Sequence, residues 1–101
     1  MDKHELLMLE RPVYESDGLG QKIQAGVQTR TVYCGEKSIT RAEWAAAAQN
    51  RLKAAFCLTV WADEYEGETV AIYGGVRYGI YRTYRKGSDE IELYLEQKAG
   101  V

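Results

Sequence analysis

The stretch RYGIYRTYRKGSDEIELYLE, residues 77–96, decides how this chain is read. Its second arm alternates Ile91, Leu93 and Leu95 with Glu90, Glu92 and Glu96. A period of two marks a strand with one buried and one wet face. Its first arm sets tyrosines among arginines, and KGSD between the arms supplies turn residues. The unit is a β-hairpin with Ile91, Leu93 and Leu95 inward and the three glutamates outward. In the first arm, Tyr78 and Ile80 fall on one face and Tyr81 and Thr83 on the other. Strict alternation places Tyr84 with Tyr78. The acidic arm alongside offers Arg82 or Arg85 a cross-strand partner.

Working outward, Gly74–Gly75 suits a two-residue hairpin turn needing positive φ, and it joins this unit to ETVAIY. Before that, FCLTVWADEY alternates Phe56, Leu58, Val60 and Ala62 against Cys57, Thr59 and Trp61. The acidic residues Asp63, Glu64, Glu66 and Glu68 fall where a turn is expected and read as solvated. The pattern changes in SITRAEWAAAAQNRLKAAF. Thr40 and Glu43 form a T-x-x-E capping box, in which each side chain serves the other's free backbone N–H. Four alanines follow, the residue of highest helix propensity. This predicts a helix over Arg41–Gln49 with Trp44 and Ala48 on one face, and a loop over residues 50–55.

Upstream, QKIQAGVQTRTVYCGEK (residues 21–37) reads as one long strand, bent near Gly26 and ended by Cys34 and Gly35. ELLMLERP (residues 5–12) reads as a first strand stopped by the chain's only proline. The polar, glycine-rich ESDGLG loop joins the two as a hairpin. The sum is about six strands and one short helix between the second and third. Short period-two strands with hairpin turns predict a mainly all-β chain, either a small antiparallel barrel or a sandwich of the same strands; the barrel is the expected form. KAGV, residues 98–101, reads as a frayed tail.

The chain has 101 residues, which fits one domain over residues 1–101 with one modest core. With 46% hydrophobic and 28% charged residues it is globular in composition. A formal charge of -2 and a pI near 5.4 argue against broad non-specific binding to nucleic acid or anionic membrane. No apolar run approaches the ~20 residues of a membrane-spanning helix. The opening MDKHELLMLE lacks the pattern of a signal peptide, which predicts a reducing cytoplasm. Cys34 and Cys57 then read as small buried thiols rather than a disulfide. Together with His4 they fall short of the four ligands of a structural zinc site.

Other chemistry finds little footing. Ser16, Ser38 and Ser88 have only His4 as a possible imidazole base. DGLGQK lacks the third glycine of a dinucleotide fingerprint, because Ile23 stands there. Counted from Asp63 as a calcium loop, DEYEGE places Glu68 at the turn glycine and Gly74 at the closing glutamate. The reading is therefore non-enzymatic, with no cofactor and no metal. The remaining chemical candidate is a nucleic-acid platform, with Tyr78, Tyr81 and Tyr84 stacking bases and Arg77, Arg82, Arg85 and Lys86 meeting phosphates.

An ordered series of features resembles the small head-closure proteins of tailed phages and prophages, also called head-tail connector, adaptor or stopper proteins. EKSITRAEW resembles the segment before their helix. LKAAF, a strand ending in EYEGE, a glycine turn and RYGIYRTYRKGSDEIELYLE follow in order. The resemblance covers residues 30–100. Its most specific part is Y-x-I-Y-R-T-Y followed by D-x-I-E-L-Y. The family usually carries an aromatic in the strand after the DGLG loop, where this chain has QKIQAGVQTR.

The resemblance implies a β-barrel subunit that self-associates into a ring below the portal and its adaptor. Such a ring retains the packaged DNA and presents a surface to tail-completion proteins. It implies assembly in the host bacterial cytoplasm and a final place in the virion neck, with passive contact to double-stranded DNA and no membrane. By analogy with a long inter-strand segment in related stoppers, residues 38–55 would lie near the channel. Asn50, Arg51 and Lys53 are its candidates. Interface candidates are Arg41, Trp44, Tyr81, Arg82 and Tyr84, since aromatic and arginine side chains anchor interfaces. Trp44 also reads as packing of the helix onto the barrel, and Arg41 as a solvated first-turn residue.

Overall fold

A computed structural model describes residues 3–97, and the tail expected at 98–101 lies outside them. Six strands form one closed antiparallel barrel: β1 (Glu5–Ser16), β2 (Lys22–Lys37), β3 (Ala54–Trp61), β4 (Val70–Tyr73), β5 (Val76–Lys86) and β6 (Glu90–Glu96). The order around the wall is β1-β2-β3-β6-β5-β4, closed by β1 against β4. Helix α1 (Arg41–Gln49) lies between β2 and β3, and a 3-10 turn, Ala62–Glu64, follows β3.

The core follows from strand alternation. Leu7 and Leu9 of β1, Val32 of β2, Leu58 and Val60 of β3, Ala71 of β4, and Leu93 and Leu95 of β6 meet inside the barrel. Each fully buried leucine contributes about 1.5–3 kcal/mol, so this small cluster suits a small domain. Phe56 packs edge-on against Tyr73 and Tyr78, with centroids 5.2 and 5.5 Å away. Gly74 and Gly75 have φ of +59° and +79° and join Tyr73 to Val76 in a tight hairpin, as the dipeptide requires.

Several expectations change. β1 does not stop at Pro12 but runs to Ser16, with Pro12 opposite Val27. β4 leaves β1 at Glu10, so from residue 11 onward β1 has only β2 beside it among the described residues. One side of β1 therefore needs no donor there, and a proline is tolerated. β2 runs past Cys34 and Gly35 to Lys37, because Gly35, Glu36 and Lys37 pair with β3. The bend near Gly26 is a bulge at Ala25, where Val13 faces Gly26 but Tyr14 faces Gln24. β3 ends at Trp61, before ADEY.

The two halves of β1 and β2 differ as a result. Residues 5–10 are barrel wall. Beyond them the strands leave the barrel as a two-stranded arm, and every residue from 13 to 29 is exposed. The molecule measures 48 × 30 × 26 Å along its principal axes. Arg30 and Glu68 stand where the arm begins. Glu68 is not a solvated turn residue: it is 1% exposed, and its carboxylate accepts from Arg30 Nε at 2.9 Å and from the Glu66 backbone N–H at 2.8 Å.

Candidate interaction surface on the outer wall

The tyrosine–arginine strand is shaped by one extra residue. In β5, Ile80 faces Leu95 and Arg82 faces Tyr94, so Tyr81 is a bulge. The bulge resets the alternation. Tyr78 is buried in the core, Thr83 lies opposite the core residue Leu93, and Tyr84 lies opposite Glu92 on the outside. Tyr78 and Tyr84 therefore do not share a face, and Thr83 does not share one with Tyr81. Tyr81 and Arg82 are instead presented together to α1.

There they meet Glu43. Its carboxylate accepts from Tyr81 Oη at 2.8 Å and from an Arg82 guanidinium N–H at 2.6 Å. The Arg82 guanidinium also lies over the Tyr94 ring, 4.2 Å from its centroid. Burial raises the pKa of the Glu43 carboxyl, but the donors from Arg82 and Tyr81 outweigh it and hold the group below its ordinary value. Burial and the bond to Glu43 push the Tyr81 hydroxyl up.

This clamp corrects three expectations. Arg82 does not pair across the strand with a β6 glutamate, and Arg85 donates to the Ser88 carbonyl at 3.1 Å. The capping box closes on one side only. The Glu43 backbone N–H donates to Thr40 Oγ1 at 3.1 Å, but the Glu43 side chain is drawn to β5. The helix accordingly faces the barrel with Glu43 and the buried Ala47, not with Trp44 and Ala48. A cleft of about 410 Å³ lies between α1 and β5, lined by Glu43, Ala46, Ala47, Asn50, Leu52, Tyr81 and Arg82.

Two of the three outward glutamates of β6, Glu92 and Glu96, are covered as well. Glu92 is 3% exposed and binds Lys37 and the Tyr94 hydroxyl, and Glu96 is buried. Burial raises the Glu92 pKa, yet the bonds from Lys37 and Tyr94 hold it below the usual carboxylate range. Cys57 and Thr59 lie opposite Tyr94 and Glu92 and are buried on this same outer side. Cys34 is a buried thiol on the inner side, and burial pushes its pKa up to about 11.

Of the interface candidates, Trp44, Tyr84 and Arg41 are exposed, whereas Tyr81 and Arg82 are engaged within the chain. Asn50, Arg51 and Lys53 are exposed beside the helix end, and each has a local duty. Asn50 donates from its side-chain amide to the Ala46 carbonyl at 3.0 Å. Arg51 takes φ +60°. Its N–H donates to the Ala48 carbonyl, and the Leu52 N–H to that of Ala47, the paired bonds of a Schellman helix end. Lys53 accepts the Gln97 N–H on its carbonyl at 3.0 Å.

The arm is the surface that residue-by-residue reading missed. Val13, Tyr14, Leu19, Ile23 and Val27 are 40–87% exposed along it. The available signal was the count of apolar residues flanking DGLG on strands with nothing to pack against. No family model matches the sequence, and no curated protein is significantly similar to it.

Proposed function

We propose that this chain is a structural subunit of a tailed-phage neck, which associates with copies of itself into a head-closure ring between the portal or adaptor and the tail. The observation that carries this reading is the distribution of its apolar and ionic groups. Among the described residues, Val13, Tyr14, Leu19, Ile23 and Val27 are exposed on an arm that stands clear of the barrel, and Leu6, Met8, Tyr33, Trp44, Trp61, Val76 and Tyr84 are exposed on the body. Such groups mark contact with other proteins. The sequence series over residues 30–100 adds the phage context.

Nucleic-acid binding by β5 has less support. Arg77 pairs with Glu10, Arg82 with Glu43, and Tyr78 is buried, so several of the groups needed for a platform are already committed.

The test is electron microscopy of particles from an induced lysogen lacking this coding sequence. Separate tails beside heads that package DNA and lose it are expected. Intact, joined virions would remove the reading. Salt-dependent DNA binding by the purified chain would then become the next measurement.

A further inference from the structure

We infer that the β1–β2 arm is the self-association element: the free β1 edge of one copy, residues 11–16, pairs with the free β2 edge of the next copy, residues 22–28. The inference rests on the self-association part of the proposed function and needs nothing from its phage context.

A lone two-stranded ribbon has two open edges and is marginal in water. Here both edges are open. Among the described residues, β1 has no second strand beside it after Glu10, and β2 has none before Gly35. Open edges of this kind are templates for another chain. Apolar residues sit on both faces as well. Val13 continues the inward series of Leu7 and Leu9, whereas Pro12 and Val27 are paired on the opposite face. A core behind one face would cover only one of these sets. Lateral neighbours shield both.

A second copy is the occupant these features select. The two edges are register partners, Arg11 opposite Gln28 through Ser16 opposite Lys22, so they match in length apart from the bulged Ala25. A foreign strand fills one edge and leaves the other open. Head-to-tail addition of identical arms fills both, and contacts of this heterologous kind close into a ring when the rotation between copies closes. The charges agree. In-register stacking sets Glu15 opposite Ile23, Ser16 opposite Lys22 and Arg11 opposite Gln28 of the next copy, so no like charges face each other. The arm's charged residues, Arg11, Lys22, Glu15 and Asp17, cancel, which gives a strongly charged partner no advantage.

The test uses the full chain in two variants, Glu15→Cys and Ile23→Cys, each carrying a distinct mass tag. Both positions are exposed and outside the barrel, so the fold is retained, which a thermal melt checks. The native Cys34 and Cys57 are buried and remain unreactive. Residues opposite each other in antiparallel strands have Cα atoms about 4.5–5.5 Å apart, within reach of a disulfide. The variants are mixed at high concentration and treated with a mild oxidant. The expected result is a several-fold excess of the mixed disulfide over either homodimer, lost on dilution before oxidation. A dominant Ile23→Cys homodimer means a twofold contact and overturns the proposal. So do equal yields of all three products, an oligomer without the mixed disulfide, or a chain that stays monomeric to its solubility limit. Failure here leaves the lysogen experiment standing, and failure there leaves the cross-link standing.

Discussion

Replacing Arg30 by methionine should invert the way this protein's stability depends on pH. In the native chain burial raises the Glu68 pKa, but the hydrogen bond from Arg30 and the backbone N–H of Glu66 hold it below its ordinary range. A depressed carboxyl contributes stability above its unfolded pKa, and that contribution is lost as pH falls through the folded value. Arg30→Met keeps the bulk and removes the cation. Burial then acts with only the backbone N–H groups of Glu66 and Glu68 to oppose it, and the folded pKa should rise above the unfolded one. The variant's handicap appears as pH rises past the ordinary carboxylate range. Removing one partner of a fully buried pair costs about 3–5 kcal/mol. Glu68 is 1% exposed but the Arg30 side chain is 28% exposed, so solvent screens the pair. The cost at neutral pH should then be about 2–3 kcal/mol, or a fall in Tm of roughly 10–20 °C for a domain of this size. Urea unfolding at pH 4 and pH 7 measures it. Arg30→Met/Glu68→Gln should recover part of the loss at pH 7, since no buried charge is left alone. A cost within about 0.5 kcal/mol at both pH values, or no recovery in the double variant, would refute the reasoning.

Glu43→Ala should release α1 while leaving the barrel folded, at a cost of about 1 kcal/mol. Amide exchange should quicken over residues 41–49 and stay slow in β3 and β6. In the native chain the same contact should weaken as pH falls through the Glu43 value, which lies below the ordinary carboxylate range; Trp44 fluorescence reports it. Arg51→Gly should stabilise the chain by about 1 kcal/mol, because a non-glycine residue holds the left-handed position at the helix end; urea unfolding measures the gain. Gly75→Val should cost about 1–2 kcal/mol at φ +79°, whereas Gly74→Asn should be nearly neutral because asparagine accepts that conformation. Thermal melts separate the two.

What the sequence disclosed was mostly local. The helix bounds Arg41–Gln49 followed from a Thr40 cap and a run of alanines, and the β4–β5 turn from two adjacent glycines. The inward placing of Leu93 and Leu95 followed from period two. What stayed hidden was set by distant partners. Nothing near Tyr81 announces a bulge, since the extra residue is fixed by how β5 meets β6 and α1. Glu43 fits a capping box equally well as a ligand for Arg82, and only the packed helix decides between them. Glu68 sits in an acidic run that reads as solvated until Arg30, far along the chain, arrives beside it. Pro12 looks like a stop because its neighbour strand ends nearby, a fact recorded in β4 rather than in β1.

The continuity of β1 has a mechanical consequence. One uninterrupted strand is barrel wall at Leu7 and Leu9 and protruding arm from Arg11 to Ser16. A pull on the arm along its own axis is carried straight into the wall. It loads the β1–β4 rungs, Leu7 to Glu10, and the β2–β3 rungs, Gly35 to Lys37, in shear. Rungs in shear share the force and yield together, whereas a zipper opened from one end yields one rung at a time. A protein whose arm is held by a neighbour would then act as a tension member, stiff along the strands and compliant across them.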